Sequence, residues 1–371
     1  MRETSRRIVN NPHFTFLFSL ISLIIYGIIA IYSASYSMNA SQVLMIKHFI
    51  FMTIGCGLFI LIIFLPRDSL QDLSSIFYWS CIILLVILLL FRIFHIGDES
   101  VYRWIQIGSI KLFQPSEFIK IALILMLAKV YSDSKKPNWQ IFIEGALYSF
   151  IPVILVLLQP DMGTASVLLL IFLSMTLISR LGFGYVFLTL LLMGLAFIPA
   201  KKYVLHEYQL QRLLTFLNPE ADPTGEGWSI MQALIAIGSG GFLGKGILQG
   251  TQSKMRFLPD TQYSDFIFSV IGEEFGFVGG LILIVLFIIL LISTLNIFFH
   301  SESNYLKMVV LGISSYWLIQ FFTNIAMNIS LMPVTGIPLP FISYGGSALL
   351  TNFIAAGMVY YAQIHRKKIE F

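Results

Sequence analysis

Ionisable residues inside long apolar runs are the first candidates for chemistry in this sequence. Glu117 and Lys120 lie three residues apart at the head of one run, so they share a helix face and can form an ion pair. A charge at membrane depth costs roughly 2.5–3.5 kcal/mol and therefore needs a partner or a polar cavity. The pair either only neutralises itself or forms a polar wall for an anionic lipid headgroup.

A second group of acidic residues begins at Asp265. On a helix that turns about 100° per residue, Glu273 would lie about 80° from Asp265, whereas Glu274 would face the opposite side. Glu274 is therefore a candidate for helix packing rather than for a site shared with Asp265. Asp265 follows Pro259 and precedes an apolar run, and this spacing by itself favours a helix cap.

Motifs of soluble enzymes and metal sites are not supported. The Gly-Lys-Gly stretch at 244–246 lacks the Ser or Thr that follows Lys in a P-loop, and Ser239 occupies the place of its first glycine. The six histidines are dispersed, with no HExxH motif and no Cys/His cluster. Cys56 and Cys81 lie in apolar runs, where no disulfide framework is expected.

The composition indicates that the elements carrying these residues cross a membrane. Of the 371 residues, 57% are hydrophobic and 11% are charged. A soluble domain has about 25% charged residues, so this chain has too little polar surface for a water-soluble globule. The net charge of +4 comes from scattered basic residues, so nucleic acid is not an expected partner.

The apolar runs predict an all-α integral membrane protein with about ten transmembrane helices, forming a single membrane domain over residues 1–371. The run at 265–299 is too long for one straight crossing and predicts a polar-faced segment at the outer surface that continues as a tilted helix. The predicted spans are 13–36, 43–65, 74–94, 116–131, 141–158, 163–179, 185–199, 265–299, 307–331 and 347–365.

The distribution of Lys and Arg predicts that both termini are cytoplasmic. This orientation places 12 basic residues in the tails and inner loops and only 3 in short outer loops. Two outer segments are longer than connectors need to be. One is 95–115, where alternation over 104–113 predicts a short hairpin, and the other is the large loop 201–264 between spans seven and eight.

Several further motifs occur in order along the chain. They are Arg-Trp at 103–104, Gln-Pro-Ser-Glu at 114–117, Gln-Pro-Asp-Met-Gly-Thr at 159–164, Tyr-Gln-Leu-Gln-Arg at 208–212, Arg-Phe-Leu-Pro-Asp-Thr-Gln-Tyr-Ser-Asp-Phe-Ile-Phe at 256–268, Gly-Glu-Glu at 272–274 and Pro-Leu-Pro-Phe-Ile-Ser-Tyr-Gly-Gly-Ser at 338–347. Together they resemble the SEDS family of bacterial cell-wall proteins, which includes RodA, FtsW and SpoVE. The short tails and residues 236–253 are most similar to RodA, the elongation branch.

This resemblance implies a glycosyltransferase that polymerises the peptidoglycan precursor lipid II at the outer face of the bacterial cytoplasmic, or inner, membrane. It implies a class B penicillin-binding protein as partner, together with MreC and MreD. In the family the acidic residue that matches Asp265 is essential, which reverses the preference for a helix cap. The resemblance also implies that the Ser-Tyr-Gly-Gly-Ser run shapes a turn near the cavity. The implied substrate-binding residues are Trp104, Arg103, Lys111, Glu117, Lys120 and Arg212.

The implied reaction needs a base for the attacking sugar hydroxyl and positive charge for the leaving lipid pyrophosphate. A partly desolvated carboxylate such as Asp265 is suited to the first task. Arg and Lys side chains suit the second. A divalent cation would serve the same end, but no ligand cluster in the sequence demands one and no cofactor is implied with certainty.

The sequence departs from the family pattern around the key aspartate. Tyr263 and Ser264 replace the usual His-Thr, Asp260 replaces Glu, and Arg256 occupies a position that is often acidic. A lipid II flippase or another polytopic transporter remains an alternative, as does a scaffold without activity. Against a transporter, the sequence shows no paired broken helices in corresponding halves, and the informative charges lie on the predicted outer side.

Overall fold

The computed structural model describes residues 12–36, 41–66, 68–94, 104–107, 110–133, 135–203, 212, 215–218, 222, 225–301 and 303–365. Its regular elements are helices apart from one two-stranded hairpin. The helices and strands are α1 (Pro12–Ser35), α2 (Ser41–Ile63), α3 (Ser69–Ile93), β1 (Ile105–Ile107), β2 (Ile110–Phe113), α4 (Pro115–Tyr131), α5 (Asn138–Leu158), α6 (Met162–Ile178), α7 (Phe183–Tyr203), α8 (Glu226–Gly240), α9 (Thr251–Lys254), α10 (Ile267–His300), α11 (Asn304–Asn328) and α12 (Gly346–Ile364).

Each apolar run predicted as a span coincides with a helix. Among the described residues, six helices are long and apolar enough to cross a membrane, namely α1, α2, α3, α5, α10 and α11. Helix α6 and the first part of α7 are shorter apolar helices. The chain is therefore a multi-pass helical membrane protein. Both predicted cytoplasmic tails, 1–11 and 366–371, lie outside the described residues.

Helix α4 is the centre of the bundle. It contacts α3, α5, α6, α11 and α12, and 15 of its 17 residues are buried. A helix that is apolar on every side is stable only when it is enclosed by other elements. Because α4 is enclosed, Glu117 and Lys120 in its first turns are interior residues.

The predicted hairpin at 104–113 is present. Strands β1 and β2 are antiparallel, with Gln106 opposite Lys111 and Ile107 opposite Ile110. The ring of Phe113 packs edge-on against Phe118, with centroids 5.7 Å apart. This contact anchors the hairpin to the start of α4.

Helix α10 is broken at Gly276, which adopts φ 65° and ψ −161°. The glycine-rich segment 241–246 bonds to the backbone on both sides of the break. Lys245 N donates to the Glu273 carbonyl at 3.0 Å, and Phe277 N donates to the Gly241 carbonyl at 2.9 Å. Non-helical backbone at membrane depth must find such partners within the protein. The run predicted as a polar-faced segment that continues as a tilted helix therefore forms two half-helices that meet at Gly276.

The long segment 201–264 is more than a connector. Helix α7 extends to Tyr203, and the apolar stretch after Trp228 forms α8, which packs along α10. A Cβ on Gly240 would lie 1.9 Å from the Gly272 carbonyl oxygen, so α8 and α10 approach closely only because this position lacks a side chain. Much of 204–224 lies outside the described residues.

Candidate active site

Asp265 lies in a tight turn that leads into α10. The backbone N–H groups of Ser264 and Asp265 both donate to the Thr261 carbonyl, each at 2.9 Å. The helix then begins at Ile267, and no side chain caps it. The helix-cap prediction for Asp265 was therefore wrong, because the residue at the cap position is Phe266. The placement of Asp265 on the same helix as Glu273 was also wrong, because Asp265 lies in the turn before the first residue of α10.

The Asp265 carboxyl has the properties of a base that works near neutral pH. The residue is partly buried, and burial raises the pKa of the carboxyl to about 6. A hydrogen bond with Ser264 and the Arg212 charge oppose this rise in pKa. A carboxyl with this pKa is ionised at pH 7 and accepts a proton more readily than an exposed aspartate does.

Arg212 brings positive charge to the same region. Its Nε lies 2.7 Å from Glu226 Oε1 at the start of α8, and the two side chains are 37% and 34% exposed. The Arg212 charge acts on both Asp265 and Glu226. The structure therefore places one predicted substrate-binding residue within electrostatic reach of the predicted base.

The predicted ion pair between Glu117 and Lys120 is present. Lys120 Nζ lies 2.7 Å from Glu117 Oε1, and the side chains are 1% and 7% exposed. Lys120 Nζ also lies 5.5 Å from the centroid of the Tyr316 ring, on α11, in a cation–π contact. Within the described part of the chain, Glu117 Oε2 and the Tyr316 hydroxyl have no hydrogen-bond partner. Both atoms are buried, so this unused hydrogen-bonding capacity lies in the interior of the bundle beside the ion pair.

Two of the remaining three predicted substrate-binding residues lie on or beside the hairpin. Trp104 is partly buried and directly precedes β1, and Lys111 lies on β2. Arg103 lies outside the described residues. Roles in substrate binding for these three residues stay predictions.

The Ser-Tyr-Gly-Gly-Ser run forms the predicted turn beside Asp265. Tyr344 N donates to the Tyr263 carbonyl at 2.9 Å, and Ser343 Oγ donates to the Ser264 carbonyl at 2.6 Å. At the end of the run, Ser347 Oγ accepts a hydrogen bond of 2.8 Å from the backbone N–H of Gln114, which is the residue directly before α4. The run therefore ties the Asp265 turn to α4, the helix that carries Glu117 and Lys120.

The two glutamates of α10 have structural partners. Glu274 accepts a hydrogen bond from Ser33 on α1, which fits its prediction as a packing residue. Glu273 is fully buried and receives Lys245 Nζ at 2.8 Å. Its carboxylate also accepts from Thr251 Oγ1 and from the backbone N–H groups of residues 252 and 253.

Sequence reasoning missed two residues that contact Asp265. Asn324 and Asn328, both on α11 and both 0% exposed, donate side-chain N–H groups to the Asp265 carbonyl. The available signal was their spacing, since amides at 320, 324 and 328 recur every four residues within an apolar run. Among the described residues, no group of three or more His, Cys, Asp or Glu side chains lies close enough to hold a metal ion.

Fold and site together define a multi-pass membrane protein with a base-like carboxyl within electrostatic reach of Arg212, in the turn before α10. The family model for FtsW/RodA/SpoVE cell cycle proteins matches residues 14–368 of the chain. The chain belongs to this family.

Named relatives and solved structures agree with that assignment. The chain is 37% identical over 359 residues to the peptidoglycan glycosyltransferase MrdB of Escherichia coli K12, covering 96% of this chain and 94% of that protein. It is 33% identical over 426 residues to the peptidoglycan glycosyltransferase RodA of Treponema pallidum, covering 95% and 97%.

Two solved structures share the fold. A chain of a peptidoglycan synthase complex, described as coordinating polymerization and crosslinking, aligns with a TM-score of 0.78 and 28% identity, covering 94% of this chain and 96% of that one. The rod shape determining protein RodA of Thermus thermophilus aligns with a TM-score of 0.65 and 25% identity, covering 95% and 97%.

Proposed function

We propose that this protein is a peptidoglycan glycosyltransferase of cell elongation and cell-shape maintenance, which polymerises lipid II with Asp265 as the general base. The observation that carries the proposal is the Asp265 turn, where a partly buried carboxyl with a raised pKa faces the charge of Arg212. Relatives similar over almost the whole chain are named peptidoglycan glycosyltransferases, which supports the same activity.

In this mechanism Asp265 removes the proton from the attacking sugar hydroxyl. The oxygen then forms a bond to the anomeric carbon of the donor sugar, and the bond from that carbon to the undecaprenyl pyrophosphate breaks. Arg212 balances negative charge at the leaving pyrophosphate, since guanidinium groups bind phosphate oxygens in pairs. Lys120 adds a second charge from α4, and Trp104, Arg103 and Lys111 contribute from the hairpin side.

We place this site at the outer face of the bacterial inner membrane, with both termini in the cytoplasm. The uneven distribution of Lys and Arg along the sequence supports this orientation. A class B penicillin-binding protein is the proposed partner, because the similar synthase complex couples polymerization to crosslinking. MreC and MreD are proposed as further components of the elongation complex.

The test uses the purified protein in liposomes with its partner and labelled lipid II. We expect glycan product from the parent. Asp265→Asn keeps the size of the side chain but cannot accept the proton, so glycan formation should fall about 10²–10⁴-fold. The thermal midpoint and partner binding should stay at the parental value, because the backbone contacts of the turn are unchanged.

Asp260→Asn is the matched control, since it changes an exposed carboxyl five residues earlier. It should polymerise at the parental rate. Labelled-lipid translocation is recorded in the same liposomes. Translocation without glycan product from the parent would favour a flippase, and near-parental glycan formation by Asp265→Asn would exclude Asp265 as the base.

A further inference from the structure

The backbone carbonyl of Asp265 is not part of the i to i+4 hydrogen-bond pattern of α10. In a regular helix the N–H of Ser269 would reach this carbonyl, but it bonds to the Phe266 carbonyl instead, at 3.0 Å. The Asp265 carbonyl accepts Nδ2 of Asn324 at 3.1 Å and Nδ2 of Asn328 at 3.0 Å. A carbonyl excluded from the helix is thus bound by two side chains of a different helix.

The two asparagines are themselves held firmly. Asn324 Nδ2 also donates to the Ile337 carbonyl at 2.8 Å. Asn328 Nδ2 donates to the Asn324 carbonyl at 2.8 Å, and its Oδ1 accepts from Ser269 Oγ at 2.6 Å. Burying an amide without partners is costly, so each asparagine is stable only in this arrangement. Together they join α11, the start of α10 and residue 337 around one atom of Asp265.

The same network fixes the surroundings of the carboxylate. Gly336, beside Ile337, adopts φ 67°, and a Cβ there would lie only 3.6 Å from Asp265 Oδ2. The chain therefore passes directly by the carboxylate at a residue without a side chain. The side-chain NH₂ group of Asn324 donates one hydrogen bond to the Asp265 carbonyl and one to the Ile337 carbonyl, so it links this segment to Asp265.

We propose that Asn324 and Asn328 are positioning residues for the base, which hold Asp265 at its working place by binding its backbone carbonyl. The inference rests on the proposed role of Asp265 and extends it to α11. Neither asparagine touches the reacting atoms in this account. Misplacement of a catalytic group by about 1 Å costs up to about 100-fold in rate, so these bonds matter for rate as well as for stability.

The experiment compares Asn324→Leu and Asn328→Leu with Asn352→Leu in the liposome polymerisation assay. Asn352 is the matched control because it is also a buried asparagine, but its side chain bonds to Trp317 Nε1 at 2.9 Å and to the Ala348 carbonyl at 2.9 Å rather than to the Asp265 carbonyl. We expect the first two variants to lower kcat about 10–100-fold with little change in KM. Asn352→Leu should lower the thermal midpoint without this loss of kcat.

The pH profile separates positioning from simple loss of stability. Arg212 and Tyr263 are the charged and titratable groups recorded near Asp265, and α11 contributes two neutral amides. Released from α11, the Asp265 carboxyl becomes more hydrated, so the acid limb of kcat/KM should move to lower pH. The control should keep the parental acid limb.

Variants that retain an amide donor keep the test decisive if the leucine variants do not fold. Asn324→Gln and Asn328→Gln should show a kcat between those of the parent and the positioning-deficient state, with a smaller shift of the acid limb. Parental kcat and acid limb in all folded Asn324 and Asn328 variants would overturn the inference, as would an equal shift in Asn352→Leu. Failure of the base assignment is distinguishable, because it appears as retained activity in Asp265→Asn.

Discussion

Asp265 and Glu273 are two carboxylates eight residues apart in the chain, and their surroundings are opposite. Glu273 is fully buried and accepts four hydrogen bonds, including the ion pair with Lys245. The Asp265 side chain is only partly buried, and its backbone carbonyl, rather than its carboxylate, receives the amides of α11.

This difference separates a structural carboxylate from the one that we propose as the base. Each donor directed at a carboxylate stabilises its charged form and makes it a poorer base. Glu273 therefore fastens segment 245–253 to α10. Asp265 has its backbone carbonyl fixed by α11, and its carboxyl has a hydrogen bond with Ser264 but receives neither amide of α11, so it is less strongly held than Glu273.

Glu117 lies between these two extremes and gives the largest expected effect on stability. One of its oxygens binds Lys120, and the other has no partner among the described residues. Lys120→Met leaves a buried charge unpaired, so we expect a loss of about 3–5 kcal/mol in the free energy of unfolding. The loss is measured as a lower thermal midpoint in detergent.

The double variant Lys120→Met with Glu117→Gln decides what the pair does. Removing both charges should recover most of the stability. If the pair binds the lipid headgroup, polymerisation stays low despite this recovery. A double variant that regains both stability and parental activity would make the pair purely structural.

Glu273→Gln tests the structural end of the comparison. Hydrogen bonds to a charged group contribute about 1.5–3 kcal/mol, so we expect a loss of that size in the free energy of unfolding. The folded variant should polymerise at the parental rate. Glu144→Gln is the control, because Glu144 also binds a lysine at 2.7 Å but is 35% exposed, and its loss should change stability little. A large loss of polymerisation activity in folded Glu273→Gln would show that Glu273 is not purely structural.

Arg212→Ala gives the smallest expected effect on stability, because its ion pair with Glu226 is about one-third exposed, and it tests the proposed base. The Arg212 charge lowers the pKa of Asp265, so its removal should raise that pKa and move the acid limb of kcat/KM to higher pH. Glu226→Gln removes the partner of Arg212 but keeps the positive charge, so it should produce no upward shift. An unchanged acid limb in Arg212→Ala would show that its charge does not act on the base.

The apolar helices could be predicted from the sequence because a helix that crosses a bilayer needs about 20 apolar residues, and such runs are visible without any knowledge of tertiary contacts. The break at Gly276 could not, since the apolar pattern continues across it and glycines also occur at 272, 279 and 280. Only the docking of segment 241–246 identifies the glycine that breaks the helix. That contact joins residues about 30 positions apart and leaves no periodic signal.

The site was predicted in part for a similar reason. Glu117 and Lys120 stand out because charges are costly in an apolar run, and their spacing gives the ion pair directly. Spacing alone favoured Asp265 as a helix cap. In the structure the N–H groups of Ser264 and Asp265 bond to the Thr261 carbonyl, so Asp265 belongs to a turn before the helix. Asn324 and Asn328 carry no charge, so the only signal for them was the four-residue spacing of amides at 320, 324 and 328, which does not say what they bind.

The pH dependence of lipid II polymerisation decides whether Asp265 is the general base. Since a base acts in its ionised form and the pKa of Asp265 is about 6, kcat/KM of the parent should fall below about pH 6. The residual activity of Asp265→Asn should lack this acid limb. If that variant keeps the parental acid limb, another group is the general base and Asp265 is not.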